Sequence, residues 1–279
     1  MSNSPSVFAP DAPLRPLQHE EFGHIRSLLY DKFGIDLREG KEELVSARLS
    51  KKIRELGFTS FSQYLAYVTS GRESDAMPEM VDLLTTNHTA FFRESVHFDL
   101  MRRVLTDLKP RKATVRIWSA ACSSGEEPYS IAMTALEDLA PGRFEIVATD
   151  LSNRVLKAAT SGIYAEERVR GIPPDVLRRH FLRGEGKATG YYRVKPVVSG
   201  HVKFHRLNLV DTYSHSAPFS MIWCRNVMIY FDKPTQERVV KRLSEWLEPG
   251  GYLFIGHSEA MNGVRHSLRY IQPAVYRKS

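Results

Sequence analysis

The sequence is poor in the features that would place it outside a reducing, water-filled compartment. It has only two cysteines, Cys122 and Cys224, both at the ends of predicted strands in a fold of a size that needs no disulfide staple. No apolar run approaches the roughly 20 residues that a membrane-spanning helix requires. Residues 1–16 are rich in Ser, Pro and Ala and lack both a positive start followed by an apolar stretch and an Arg/Ser pattern; they read as a disordered lead-in rather than a targeting segment. These absences point to the cytoplasm. Internal repeats and low-complexity tracts beyond the lead-in are also missing. So is a Ser/His/Asp or Cys/His constellation, which removes the usual routes to covalent catalysis.

What is present is the length for an α/β core plus a smaller unit and the composition of a soluble globular protein: 279 residues, 42% apolar and 25% charged, with a formal net charge of +7. The charge suits an acidic partner without identifying it. Over 17–85 the pattern is helical throughout, with Phe22, Ile25, Leu28, Leu29 and Phe33, then Leu44, Ala47, Leu49, Ile53 and Leu56, recurring at helical spacing and Gly34, Gly57 and Gly71 at the turns. The middle helix carries Arg48, Lys51, Lys52 and Arg54 on or near one face. That face is read either as solvated or as a docking surface for acidic helices.

From residue 86 onward strands and helices alternate, at 115–118, 128–139, 144–149, 153–161, 202–207, 219–224, 235–247 and 252–256, with closing strands over 268–277. Alternation of this kind makes a doubly wound, mostly parallel sheet with helices on both faces. Residues 184–199 interrupt it with Gly184, Gly186 and Gly190 and a strand-like run over 191–198, read as a small antiparallel insertion. Its edge is read either as a protected hairpin or as a place where a peptide adds as a further strand, with Tyr191 and Tyr192 as anchors.

The most informative stretch runs from Trp118 through Ser119-Ala120-Ala121-Cys122-Ser123-Ser124-Gly125 into Glu126-Glu127-Pro128. A strand passes through small residues, which let backbone approach a ligand closely, into an acidic helix start. Carboxylates there grip a cation and repel a phosphate. Cys122, beside two glutamates, is read as a small buried residue rather than a nucleophile. Asp150 ends the next predicted strand, 25 residues after Gly125, near the spacing at which such folds place a ribose-binding acid. A nucleoside with a cationic tail, S-adenosylmethionine, fits better than NAD, whose pyrophosphate wants a Gly-x-Gly-x-x-Gly turn that is absent.

Three further blocks give these features a family likeness. Asn87-His88-Thr89-Ala90-Phe91-Phe92-Arg93, Ser124-Gly125-Glu126-Glu127-Pro128-Tyr129-Ser130 and Cys224-Arg225-Asn226-Val227-Met228-Ile229-Tyr230-Phe231, followed by Glu248-Pro249-Gly250-Gly251 and Gly256-His257-Ser258-Glu259, resemble the chemotaxis receptor glutamate methyltransferases, the CheR family. The resemblance covers nearly the whole chain past Leu17. It implies a class I, Rossmann-like S-adenosylmethionine-dependent methyltransferase domain over 86–279, an N-terminal all-α domain over 17–85 and an antiparallel β insertion at about 184–199. It implies methylation of glutamate side chains on cytoplasmic chemoreceptor helices, with S-adenosylhomocysteine as product, in bacterial chemotactic adaptation. By the same resemblance Asn87, Thr89 and Arg93 border the methionine end of the cofactor, Glu127 is the acid of the first loop and Asp150 binds ribose. Asn208 and Leu209 line the adenine pocket, and Arg225, Asn226 and Tyr230 border the transferring methyl, with Arg93 and Tyr230 as the catalytic pair. Some members use the corresponding insertion to hold a C-terminal receptor tail. No metal, nucleic-acid partner or membrane insertion is expected.

The chemistry agrees independently. A glutamate with an ordinary pKa of about 4.3 is already the nucleophile at neutral pH and needs no general base. His257 is accordingly read as packed or solvent-facing. The main rivals are a nucleic-acid or other protein methyltransferase and a cofactor-binding sensor. The first is disfavoured because an Asp/Asn-Pro-Pro-aromatic block is missing where Arg225-Asn226-Val227-Met228 stands. Retention of Arg93 and Tyr230 with every cofactor block argues against the second.

Overall fold

The computed structural model describes residues 13–85 and 88–279, and the chain divides into two compact units, Met1–Thr86 and Asn87–Ser279. Most of the expected lead-in lies outside the described residues. Near its end, Arg15 donates its backbone N–H to the Thr59 carbonyl at 3.0 Å.

The first unit contains the helices α1 (His19–Phe33), α2 (Glu42–Glu55), α3 (Phe61–Thr69) and α4 (Ala76–Leu84). Glu21 caps the start of α1 by accepting the Gln18 N–H at 3.0 Å, and Gly34 closes it in the left-handed conformation, φ 68°. The buried stripe of α2 is Val45, Leu49 and Ile53, while Ala47 is exposed, because a four-residue repeat keeps those three on one side of the helix. The supposed basic face is divided by the same geometry. Arg48 donates to the Leu84 carbonyl and Lys52 binds Glu79 at 2.7 Å, so both are turned onto α4, whereas Lys51 and Arg54 face solvent.

In the second unit α5 (Val96–Leu108) precedes β1 (Val115–Ser119), α6 (Glu126–Asp138), β2 (Phe144–Asp150) and α7 (Asn153–Ser161). After an excursion, β6 (Val202–Arg206), β7 (Phe219–Trp223), α11 (Lys233–Trp246), β8 (Leu247–Phe254), β9 (Arg269–Gln272) and β10 (Val275–Arg277) complete a seven-stranded sheet. The order is β6-β2-β1-β7-β8-β10-β9, parallel from β6 to β8 and antiparallel beyond. All five residues of β7 are buried, as a central parallel strand covered on both faces requires. Strand order reverses between β1 and β7, and ligands of such sheets bind outside the carboxyl ends of the strands at that point.

The excursion contains β3 (Ile163–Ala165), α8 (Glu166–Val169), α9 (Pro174–His180), β4 (Phe181–Arg183), β5 (Tyr191–Val194) and α10 (Pro196–Ser199). Here the sequence expectation needs correcting. The antiparallel sheet draws on residues from Ile163 to Val194, not only 184–199, and the strand expected over 191–198 stops at Val194. Pro196 has no N–H to give a ladder and instead opens a helical turn. Nor is the strand bearing Tyr191 and Tyr192 an edge: it lies between β3 and β4 and pairs with both. The edges are two three-residue strands too short to be read from periodicity. Among the described residues no helix is long and apolar enough to cross a membrane.

Candidate active site

The loop after β1 is shaped by its small residues. Ser123 is left-handed at φ 48° and Gly125 at φ 95°. A Cβ on Gly125 would lie 2.9 Å from both the Ala159 Cβ and the Tyr164 hydroxyl oxygen, so only glycine fits there. The two acids that follow diverge. Glu126 is fully buried and held by Arg168 and by the Ser124 hydroxyl at 2.8 Å, so its charge is neutralised within the fold rather than offered to a ligand. Glu127 accepts from the Ser119 hydroxyl at 2.7 Å and from Arg225 Nη1 at 3.1 Å. Burial raises its pKa, against the pull of Arg225 and Ser119. Burial also pushes the Cys122 thiol well up, helped by Asp150 and Glu127, as suits a packed and unreactive cysteine.

Asp150 closes β2 and braces the same loop: Oδ2 accepts the Ser123 N–H at 2.8 Å and Oδ1 the Ser152 N–H at 3.1 Å. Its carbonyl accepts from Leu207 at 3.0 Å, which brings the half-buried Asn208 and the buried Leu209 to the adjacent strand end. Thr89 is half-buried in the segment entering this unit. Asn87 lies outside the described residues.

The centre of the polar network is Arg225, just past β7. Its side chain is 2% exposed, and its guanidinium lies 2.8 Å from Glu94 Oε2, 3.1 Å from Glu127 Oε2 and 2.7 Å from the Arg93 carbonyl oxygen. A buried cation between two acids is retained only where both partners are well placed. Burial would raise Glu94, but the hydrogen bond and charge of Arg225 outweigh it and hold the carboxyl below its ordinary range. Arg93 itself points elsewhere: its side chain is 34% exposed, donates to the His88 carbonyl at 2.8 Å and lies 3.9 Å from Glu94. Phe92 and Glu94 on either side of it are left-handed, at φ 52° and 58°, a strain of the kind that gathers at functional sites. Asn226 is also left-handed, φ 58°, and Tyr230 is half-buried in the short 3-10 turn Met228–Tyr230.

Glu94, His97 and His257 gather three ligand-type atoms within 4.8 Å. The Glu94 oxygen nearest His97 is also the one carrying Arg225, so a cation is already seated on it and no metal is assigned. Burial and the Arg225 charge lower His97 to about 4, which leaves it neutral at working pH. His257 is exposed and its ring packs edge-on against His97. Sequence reasoning missed Glu94, and with it the Arg225 network. The only available signal was an acid beside Arg93, which reads as a local pair.

Residues 20–85 match the family described as CheR methyltransferase, all-alpha domain, and residues 87–276 match CheR methyltransferase, SAM binding domain. The chain belongs to the CheR methyltransferase family. It is 41% identical over 263 residues to a chemotaxis protein methyltransferase of Escherichia coli, covering 93% of this chain and 91% of the relative. It is 42% identical over 262 residues to chemotaxis protein methyltransferase 2 of Pseudomonas aeruginosa, covering 92% of each. The cofactor of this family fold is S-adenosylmethionine. The chemistry of the described residues is compatible with it: Gly125 keeps the loop free of side-chain bulk, Asp150 stands against the same loop, and two carboxylates, Glu94 and Glu127, share the one buried guanidinium of Arg225.

Proposed function

We propose that the protein transfers the methyl group of S-adenosylmethionine to glutamate carboxylates of chemoreceptors, forming glutamate methyl esters and S-adenosylhomocysteine in chemotactic adaptation. The observation that carries the glutamate reading is the contrast between two neighbouring arginines. Arg225 is buried and held by Glu94 and Glu127, whereas Arg93 is bonded to a carbonyl, has only a long 3.9 Å approach to Glu94 and is partly open to solvent. Arg93 is therefore the guanidinium that can receive an incoming carboxylate.

When bound, the cofactor supplies an electrophilic sulfonium methyl. The chain's part is to hold, orient and dry the reactants. Carboxylate and sulfonium disperse their opposite charges as they react, so a pocket that excludes water favours the step. In-line positioning carries most of the rate, worth up to about 7–11 kcal/mol in the best intramolecular systems. In this reading Arg93 steers the carboxylate and Tyr230 orients it with its hydroxyl. Asp150 binds the ribose, Asn208 and Leu209 line the adenine, and Glu127, with Asn87 and Thr89, borders the methionine end. Asn226 borders the methyl, and Arg225 acts by holding Glu127 in place.

Chemoreceptor helices are the partners. Lys51 and Arg54, the cations of α2 that face solvent, are the first unit's candidate contacts for their acidic residues. A receptor tail would add at the exposed side of β3 or β4, since β5 is paired on both sides. One assay tests the whole: radiolabelled S-adenosylmethionine with receptor membranes, followed by mapping of base-labile methyl esters. Arg93→Ala is expected to lose far more turnover than cofactor affinity. Near wild-type turnover in that variant removes Arg93 from the chemistry, and label resistant to base excludes carboxylate transfer. An equal Michaelis constant for receptors lacking their C-terminal tail removes the tail site.

A further inference from the structure

The run Gly256-His257-Ser258-Glu259 after β8 is not used by the mechanism above, yet it ends in a buried acid, Glu259, 8% exposed. The Glu259 carboxylate accepts four backbone N–H groups. Oε2 receives those of Asn226 at 2.8 Å and Gly256 at 2.6 Å, and Oε1 those of Met228 at 2.7 Å and Ile229 at 3.3 Å. Three of the four belong to the loop after β7 that carries Arg225, Asn226 and Tyr230. No ion pair among the described residues involves Glu259. Its charge is balanced by amide dipoles alone, an arrangement that costs desolvation and is kept only where the oxygens satisfy groups that have no other acceptor.

Those groups are the N–H donors of a loop that leaves the sheet with a left-handed residue, Asn226 at φ 58°, and so has no strand partner for them. The side chain of Asn226 is fixed from the same direction. A Cβ on Gly256 would lie 2.4 Å from Asn226 Nδ2 and 2.9 Å from Glu259 Oε2, so the amide is laid directly on the glycine that Glu259 also binds. The carbonyls of the same turn are also held: Gln236 of α11 donates to those of Met228 and Phe231 at 2.9 and 3.1 Å. The turn bearing Tyr230 is thus gripped on its N–H groups by Glu259 and on its carbonyls by Gln236.

We propose that Glu259 is a positioning residue for methyl transfer, setting Asn226 and Tyr230 through the backbone it clasps. The proposal rests on the roles given above to Tyr230 and Asn226. The test is a double-mutant cycle on the full chain with receptor membranes, using Glu259→Gln and Tyr230→Phe singly and together. Glu259→Gln keeps the shape but turns an NH₂ against N–H donors. It is expected to lower kcat by about tenfold or more while cofactor affinity, read by calorimetry, changes much less. Tyr230→Phe is expected to cost less in the Glu259→Gln background than alone, because a misplaced phenol has less to lose. Glu259→Asp, which keeps the charge but is too short to reach both sets of donors, enters the same cycle should the glutamine variant not fold. Wild-type turnover in both Glu259 variants overturns the proposal. Additive losses in the double variant overturn it as well, since they make Glu259 a structural residue that does not act through Tyr230. Failure of the unaltered protein to methylate receptors would instead sink the proposed function.

Discussion

The loops after β1 and β7 leave neighbouring parallel strands at the same end of the sheet, yet they are held by different means. The first is small-residue backbone braced by side chains that close over it, Asp150 on the Ser123 N–H and Ser119 on Glu127 from its own strand-helix-strand unit, and the Tyr164 hydroxyl on the Ser124 carbonyl and Arg168 on Glu126 from the excursion. The second is irregular backbone that depends on groups from elsewhere in the chain: Glu94 on Arg225, and Glu259 on the N–H groups of Asn226, Met228 and Ile229. The difference teaches that a loop of small residues is held by what closes around it, whereas a loop of irregular backbone needs acceptors brought to its unpaired N–H groups. Arg225 joins the two, bonding Glu127 in the first loop from its place in the second.

The largest effect is expected from breaking that joint. Arg225→Ala leaves Glu94 and Glu127 side by side and nearly buried without their cation, a loss of about 3–5 kcal/mol for a buried pair. Urea denaturation measures it, and a loss no greater than that of a surface substitution would mean the loops are held independently. A middle effect is expected within the first loop alone. Gly125→Ala forces a left-handed alanine into contact with Ala159 and Tyr164, costing about 1–3 kcal/mol, with weaker cofactor binding. Unchanged affinity there would show that the loop does not touch the cofactor. The smallest is expected from Asp150→Asn, which removes one acceptor oxygen and keeps the shape. Calorimetry with S-adenosylmethionine should register about 0.5–1.5 kcal/mol, and no change would take Asp150 out of the ribose site.

The same contrast decides what was legible. Features carried by near neighbours in sequence are visible before folding: the apolar repeat of α1, the alternation of strands and helices, the small-residue turn into α6 and the strand-end acid Asp150. Each is imposed by backbone geometry acting over a few residues, and the cofactor class follows from them because a cationic nucleoside needs acid and room in the first loop. Residue identities likewise mark Arg93, Arg225 and Tyr230 as candidates through the family resemblance, but not their partners.

Only the tertiary structure decides which charges are spent. Glu126 and Glu127 are adjacent, yet successive helix positions point about 100° apart, so one meets Arg168 and the other Arg225. Arg48 and Lys51 lie on one helix, yet the first reaches α4 and the second faces solvent. The edge strands β3 and β4 have three residues each, too few to show a period, and become strands only because β5 arrives between them. Sequence by itself determined the fold class and the kind of ligand, since both rest on local geometry. Which arginine is buried between two acids and which stays partly open, and which acid holds the loop after β7, was decided by contacts between segments far apart in the chain, where burial makes an unpaired charge too costly to leave unmatched.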